Sequence, residues 1–289
     1  MNVIKELDMK HLAQYLKPRP KECHKGDFGR VLIIGGDLGY SGAVRLAGEA
    51  ALRVGAGSVS IATRPEHAVS LNVSCPELMC HGISNVNDLN KLLEQATFIV
   101  IGPGFGTNKW SLSLLRAALK HKDKSMLLDA DALNRLAVTK IKMKRDNCIF
   151  TPHPGEAARL LNSTPQKIQK NRLVAIHELY ELLGGTIVLK GSGTLILSEL
   201  NQAEICHAGN PGMATAGMGD VLSGIIAGLA AQNIPLDDAA KLGVLVHAMA
   251  GDLSAAEKGE RGMIASDLIL SLRGIVNHVT PRTLRSFSQ

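Results

Sequence analysis

The run Asn210-Pro-Gly-Met-Ala-Thr-Ala-Gly-Met-Gly-Asp220 sets glycines and small side chains directly before one carboxylate. An apolar segment of helical character, Val221 to Ala231, follows at once. Backbone N–H groups of a glycine-rich turn that opens a helix form a cradle for an anionic phosphate. Glycine lets the main chain approach the phosphate oxygens and take positive φ. Asp220 then falls in the first helical turn, facing the same point. A cradle plus a carboxylate can move a phosphoryl group onto a hydroxyl. The carboxylate takes the hydroxyl proton and the cradle stabilises the transferring charge. The run also reads as a plain helix N-terminus whose acidic first turn suits the helix dipole.

Positioning such groups requires a scaffold, and the hydrophobic pattern supplies one. Strand-like runs at Val31–Ile34, Ser58–Ala62, Phe98–Ile101, Met126–Asp129 and Ile149–Thr151 alternate with helical stretches at Gly42–Val54, Asp88–Gln95 and Leu112–Lys120. Further helices are expected within Gly155–Leu161 and Gln166–Leu183. Strands at Thr186–Leu189, Thr194–Leu197 and Ala203–Cys206 close the sheet, and helices fill Met218–Gln232, Asp237–Lys258 and Ser266–Leu272. Continuous rather than alternating apolar strands predict an α/β fold with a mostly parallel central sheet covered by helices on both faces. The turns Gly191–Gly193 and Glu199–Gln202 are too short for crossover helices, so antiparallel strands are expected at one edge. The small residues of Gly42–Val54 permit close packing, within a subunit or between subunits. Residues 1–24 read as an N-terminal extension, 25–280 as a single domain and 281–289 as a C-terminal tail.

Ligand sites in such sheets lie beyond the carboxyl ends of the strands. Glycine- and acid-bearing segments fall at five of those ends: Gly35–Gly42, Gly102–Gly106, Asp129–Asn134, Thr151–Glu156 and Lys190–Thr194. Together with the 210–220 run they predict one shared cleft. Gly36, Gly39 and Gly42 follow G-x-x-G-x-x-G rather than the dinucleotide spacing, and no ribose-binding acid ends the next strand at Thr63-Arg64-Pro65, which disfavours a dehydrogenase. No G-x-x-x-x-G-K-[ST] exists, so the phosphate holder is not a P-loop.

Among the acids, Asp129, Asp131, Glu156 and Asp220 sit near strand ends. Glu156 could help hold a hydrated Mg²⁺, or simply cap the following helix. His153 stands on a stiff turn between two prolines; it either contacts substrate or shapes the turn. His247 reads as a packing residue, Asp267 as part of a helix cap, and the cysteines as buried fillers. The five cysteines are scattered without a C-x-x-C, which points to a reducing cytoplasm. No apolar run is long enough for a membrane span, and no secretory leader is read. The net charge of +6 comes with basic clusters at Lys120–Lys124 and Lys140–Arg145, and no aromatic interleaves with them, which disfavours nucleic acid and leaves solvated connecting segments.

The segments Lys25-Gly-Asp-Phe-Gly-Arg-Val-Leu-Ile-Ile-Gly-Gly36, Gly102–Gly106, Asp129–Asn134, Thr151–Glu156 and Asn210–Asp220 resemble, in the same order, those of the ADP/ATP-dependent NAD(P)H-hydrate dehydratases. These enzymes belong to the ribokinase-like superfamily, and the resemblance spans about Lys25 to Arg273. It implies repair of (S)-NADHX and (S)-NADPHX, the 6-hydroxy hydrates of the reduced nicotinamide ring, back to NADH and NADPH. ADP is the donor the bacterial-type resemblance implies, giving AMP and phosphate, with Mg²⁺ on the phosphates. The resemblance places Ala43, Gly106, His153 and Asp220 on the hydrate. It places Lys190, Gly191, Ser192, Gly193, Thr194 and Gly219 on the adenine nucleotide. Asp220 is then the base, and the backbone of Ala216, Gly217, Met218 and Gly219 the anion hole. Many bacterial relatives carry an N-terminal epimerase domain, so a separate NAD(P)H-hydrate epimerase is expected as functional partner, and a homotetramer as the assembly. The superfamily's Asn-x-x-Glu metal motif appears here as His153-Pro-Gly-Glu156. Two other readings share these residues: a vitamin or sugar kinase releasing a stable phosphoester, and a non-catalytic adenine-nucleotide sensor, which would have no need of Asp220.

Overall fold

The computed structural model describes residues 4–139, 141, 143–198 and 202–278. The expected 281–289 tail, most of the Glu199–Gln202 turn, and Lys140 and Lys142 of the second basic cluster lie outside the described residues. The strands are β1 (Lys5–Glu6), β2 (Arg30–Ile34), β3 (Ser58–Thr63), β4 (Leu78–Gly82), β5 (Phe98–Ile101), β6 (Ser125–Leu128), β7 (Cys148–Phe150), β8 (Thr186–Leu189), β9 (Thr194–Leu197) and β10 (Glu204–Cys206). The helices are α1 (Met9–Ala13), α2 (Ser41–Arg53), α3 (Pro65–Ala68), α4 (Val86–Gln95), α5 (Lys109–Leu119), α6 (Ala130–Thr139), α7 (Pro154–Leu160), α8 (Pro165–Lys170), α9 (Arg172–Leu183), α10 (Met218–Ala230), α11 (Leu236–Lys258) and α12 (Ala265–His278).

Among the described residues the strands form one ten-stranded sheet in the order β1-β10-β9-β8-β7-β6-β5-β2-β3-β4. From β8 across to β4 every pair is parallel. β9 runs antiparallel to both β8 and β10, and β1 adds a parallel strand outside β10. The predicted fold class is therefore the one observed.

Apolar residues on both faces of each central strand explain the layering. Val31 and Ile33 of β2 join Val100, Leu127, Ile149 and Val188 in one core, packed beneath α2, α10, α11 and α12. Leu32 and Ile34 join Ile101, Leu128, Phe150 and Leu189 in the other, beneath α4, α5, α6, α7 and α9. The period of two thus buries both faces of the sheet. The small residues of α2 serve a contact inside the chain. A Cβ at Gly224 would overlap the Ala47 carbonyl, and one at Gly228 would stand 2.6 Å from that of Ala51. Side-chain-free backbone at these two positions lets α10 settle onto α2 and fixes where the N-terminus of α10 points.

Several elements depart from the sequence expectation. The extension carries elements of its own: β1 pairs with β10, α1 is tied to α11 by His11 Nε2–Asp238 Oδ2 at 3.1 Å, and just past α1 the Tyr15 hydroxyl donates to Asp238 at 2.5 Å. β4 went unread because its Leu-Met-Cys-His-Gly run is short and half polar, as suits an edge strand. α6, to which no element was assigned from sequence, begins at Ala130, inside the Asp129–Asn134 segment. The 166–183 helix divides at Asn171 (φ −133°, ψ 53°) into α8 and α9. Only Cys148 and Cys206 are buried, so the filler reading fails for Cys23, Cys75 and Cys80, which are partly exposed. Arg145 is not merely solvated either: its guanidinium donates to the carbonyls of His121, Lys122 and Lys124, tying one basic cluster to the other.

Candidate functional site

The five segments singled out at strand ends follow β2, β5, β6, β7 and β8, which are consecutive neighbours in the sheet. Because these strands are parallel, their C-terminal ends lie on one side of the sheet, and the five segments gather along that edge. The 210–220 run reaches it from the α10 side. Gly217, at φ +90°, turns the chain into α10, a conformation costly for a residue with a Cβ. Upstream, Asp252 of α11 holds the same run, accepting from Gly209 N and from Asn210 Nδ2, both at 2.9 Å.

Asp220 lies in the first turn of α10. Burial pushes its pKa up from the ordinary carboxylate value to about 7, Asp129 adds to the rise, and Lys190 opposes it. The charge centre beside it is a buried pair. Asp129, 1% exposed, accepts from Lys190 Nζ at 2.6 Å and from Ser223 Oγ at 2.8 Å. The ammonium lies 3.8 Å from Glu156. Burial works against the Lys190 charge, but Asp129 and Glu156 outweigh it and raise its pKa. Lys190 therefore stays cationic at neutral pH. Ala130, next in chain, holds φ +46°, outside the usual region for a non-glycine residue.

His153 is the N-cap of α7. Its Nδ1 accepts from Gly155 N at 2.9 Å, which leaves the proton on Nε2, 3.3 Å from Glu156 Oε1. Glu156, 4% exposed, accepts from His153 N at 2.7 Å through Oε2 and completes the cap. Burial raises the Glu156 pKa and lowers that of His153. Both structural readings of this pair are thus realised, at a place that also faces Lys190.

On the other flank, Gly106 N donates to Asp131 Oδ2 at 2.8 Å, and Asp131 is one of the charges acting on Asp220. Ala43, near the start of α2, abuts Gly104. Asp37 stitches this flank together. It accepts from Arg64 Nε at 2.7 Å and from Asn108 Nδ2 at 2.5 Å, and the Arg64 guanidinium stacks 4.2 Å above the Trp110 ring. His247 of α11 has its Nε2 buried without a hydrogen-bond partner, and burial drives its pKa down to about 4. Asp267 accepts from Ile264 N at 2.9 Å and caps α12 as read.

A family model for NAD(P)H-hydrate dehydratase matches residues 31–273. The chain belongs to the NAD(P)H-hydrate dehydratase family. It is 51% identical to a bifunctional NAD(P)H-hydrate repair enzyme of Coxiella burnetii, over 94% of this chain and 55% of that protein. It is 36% identical to an ADP-dependent (S)-NAD(P)H-hydrate dehydratase of Neisseria meningitidis, over 91% of this chain and 90% of that one. An ADP/ATP-dependent NAD(P)H-hydrate dehydratase of Bacillus subtilis, crystallised with ATP and Mg²⁺, superposes with a TM-score of 0.83 at 27% identity, covering 98% of this chain and 99% of that one. The chain spans about half the length of the bifunctional relatives it matches.

The sequence-derived positions fall into two groups along this edge of the sheet. Ala43 and Gly106 lie on the β2–β5 side. His153 and the 190–194 turn lie on the β7–β8 side, with Asp220 and Gly219 brought in by α10. Ser223, Asp252 and the Asp37–Arg64 pair were not singled out, because none carries a local sequence signal.

Gly219 offers a test of the expected phosphate cradle. A Cβ there would stand 3.4 Å from Lys190 Nζ and 3.9 Å from Asp129 Oδ2, which is ordinary contact. Alanine is thus accommodated, whereas the γ-carbons of valine project further toward the ammonium. Gly219→Val is expected to raise the KM for ADP at least about tenfold, or ~1.4 kcal/mol, while Gly219→Ala stays close to wild type. Steady-state kinetics on both variants checks this; an unchanged KM in the valine variant counts against the cradle.

Proposed function

We propose that this chain dehydrates (S)-NADHX and (S)-NADPHX to NADH and NADPH, using ADP as phosphoryl donor and releasing AMP and phosphate. The observation that carries the reading is the placement of Asp220 in the first turn of a helix opened by Gly217, with Lys190 against the adjacent Gly219; burial pushes its pKa up to about 7. Family membership supplies the substrate class.

The residues account for each step. The ring hydroxyl at C6 is a poor leaving group. Asp220 takes its proton as the oxygen attacks the β-phosphorus of ADP; the new O–P bond forms and the bond to the AMP oxygen breaks. The backbone N–H groups of residues 216–219 and the Lys190 ammonium bear the charge that moves. The ring nitrogen then expels phosphate from C6, and loss of a C5 proton restores the double bond of the dihydronicotinamide. We assign Ala43, Gly106 and His153 to hydrate binding, and the 190–194 turn with Gly219 to the nucleotide.

Mg²⁺ fits this donor set in a limited way. Among the described residues no group of three His, Cys, Asp or Glu forms a ready cage, and Asp129 is taken by Lys190 and Ser223. Mg²⁺ keeps waters and binds through one or two carboxylates plus substrate phosphates, so Glu156, whose oxygens already face His153 and Lys190, would hold it only through water. When bound, the ion neutralises phosphate oxygens.

The same reading extends to the surroundings. Residues 25–280 form the catalytic unit, working as a homotetramer. The R hydrates reach it through an NAD(P)H-hydrate epimerase. Among the described residues no helix is long and apolar enough to cross a membrane, and the cysteines are free, which suits the cytoplasm.

ADP is expected to exceed ATP in kcat/KM. With the adenosine end held at the 190–194 turn, the β-phosphate of ADP reaches the cradle. ATP overruns it by one phosphate, and a misplacement of ~1 Å can cost about 10²-fold. Incubating the protein with (S)-NADHX, Mg²⁺ and either donor, following the reduced-nicotinamide absorbance and resolving the spent nucleotides, tests both levels. ATP conversion to ADP with little AMP from ADP overturns the donor alone. A stable phosphoester without NADH favours the kinase reading. No NADH and no nucleotide turnover overturns the activity.

A further inference from the structure

The 190–194 turn between β8 and β9 is shaped by a residue outside it. Arg172, the first residue of α9, lies half-buried beneath the turn. Its Nη2 donates to the Leu189 carbonyl at 3.0 Å and to the Gly193 carbonyl at 3.0 Å, one on each side of the turn. Its Nη1 presses against Gly191, where a Cβ would overlap it, and reaches Gln169 Oε1 at 3.4 Å. Gly191 holds φ +147° and Gly193 φ +67°, so neither position readily takes another residue. Two bonds on other sides complete the fixation. Lys190 N donates to the Pro152 carbonyl at 2.9 Å, and Thr194 Oγ1 donates to the Gly191 carbonyl at 3.0 Å.

We propose that Arg172 is a positioning residue for nucleotide binding. It draws the Leu189 and Gly193 carbonyls onto one planar guanidinium, exposes the 191–193 main chain to an adenine nucleotide and aims Lys190 toward Asp129 and Asp220. The proposal rests on the reading of the 190–194 turn as the nucleotide site. A tight turn flanked by glycines has many backbone states, and the guanidinium selects one of them. A lysine ammonium is a point charge on a flexible stem and cannot hold two carbonyls in a fixed plane. Among the described residues its hydrogen bonds go to Gln169, Leu189 and Gly193 and none to Ala43, Gly106 or His153, so its loss bears first on the nucleotide.

The test uses Arg172→Ala and Arg172→Lys in the full chain, with Asp220 and Lys190 intact. Calorimetric titration with ADP is run alongside steady-state kinetics in which ADP and (S)-NADHX are varied separately. Expected is a KM for ADP raised about tenfold in the alanine variant, an intermediate rise in the lysine variant, and a KM for (S)-NADHX within about twofold of wild type. A merely structural arginine would lower the melting temperature and leave the two KM values moving together, and that outcome overturns the proposal. Wild type binding ADP and both variants binding it equally well also overturns it, leaving the function reading intact. Wild type failing to bind ADP overturns the nucleotide-turn reading, and the proposal with it. If the alanine variant does not fold, the lysine variant carries the same comparison.

Discussion

Asp220→Asn is expected to lower kcat about 10²–10⁴-fold, the usual cost of a lost general base, while ADP affinity stays close to wild type. Asparagine keeps the volume and the helix start, so the loss is chemical rather than structural. Two signed pH effects accompany it. Burial places the Asp220 pKa at about 7, and the base must be ionised. In wild type, kcat/KM therefore rises with pH through about 7. The folded pKa also lies above the ordinary carboxylate value of 3.8. Between these two values the native state holds a proton that the unfolded chain has released. The stability this confers is complete at low pH and is lost as pH rises from about 4 to about 7. The asparagine variant has no such loss and is expected to unfold at a higher temperature than wild type at pH 8, with the gap narrowing at pH 4. Turnover within a few-fold of wild type would refute the assignment.

What the sequence disclosed and what it hid follow one physical division. Caps and tight turns are built from neighbours in sequence, so the glycine turn within 210–220 and the five strand-end segments could be read directly. The strands could too, because both faces are buried and the runs are continuously apolar. The charge centre could not. Asp129 meets Lys190 across 61 positions and Ser223 across 94, and Gly209 meets Asp252 across 43. Ser223 sits in an apolar helix and carries no local mark. The start of α6 gives no helical signal because Asp129-Ala-Asp looks like turn chemistry; the sharp bend at Ala130 lets the helix start without a glycine. β4 was missed because an edge strand exposes one side and loses the apolar signature that announced the others.

The Asp129–Lys190 pair supports a second large effect, with opposite outcomes for its two members. Lys190 neutralises three acids at once: Asp129 at 2.6 Å, Glu156 at 3.8 Å, and Asp220, on whose titration it acts directly. Lys190→Ala leaves Asp129 buried with only Ser223 as partner. Breaking a buried pair in this way costs about 3–5 kcal/mol, and it removes the cation proposed to face the transferring phosphate. Activity is expected to fall by at least about 10²-fold, the loss seen when one charge-stabilising donor is deleted. Asp129→Asn is milder, since an amide still accepts from Ser223 and frees rather than removes the ammonium. The pH profile separates the two. Lys190 lowers the Asp220 pKa and Asp129 raises it. The acid limb of kcat/KM must therefore move to higher pH in Lys190→Ala and to lower pH in Asp129→Asn. Titrating the residual rates of both variants measures this. Shifts of the same sign, or no shift in either, would break the link between the buried pair and the base, and the charge centre would be a structural feature beside the chemistry rather than part of it.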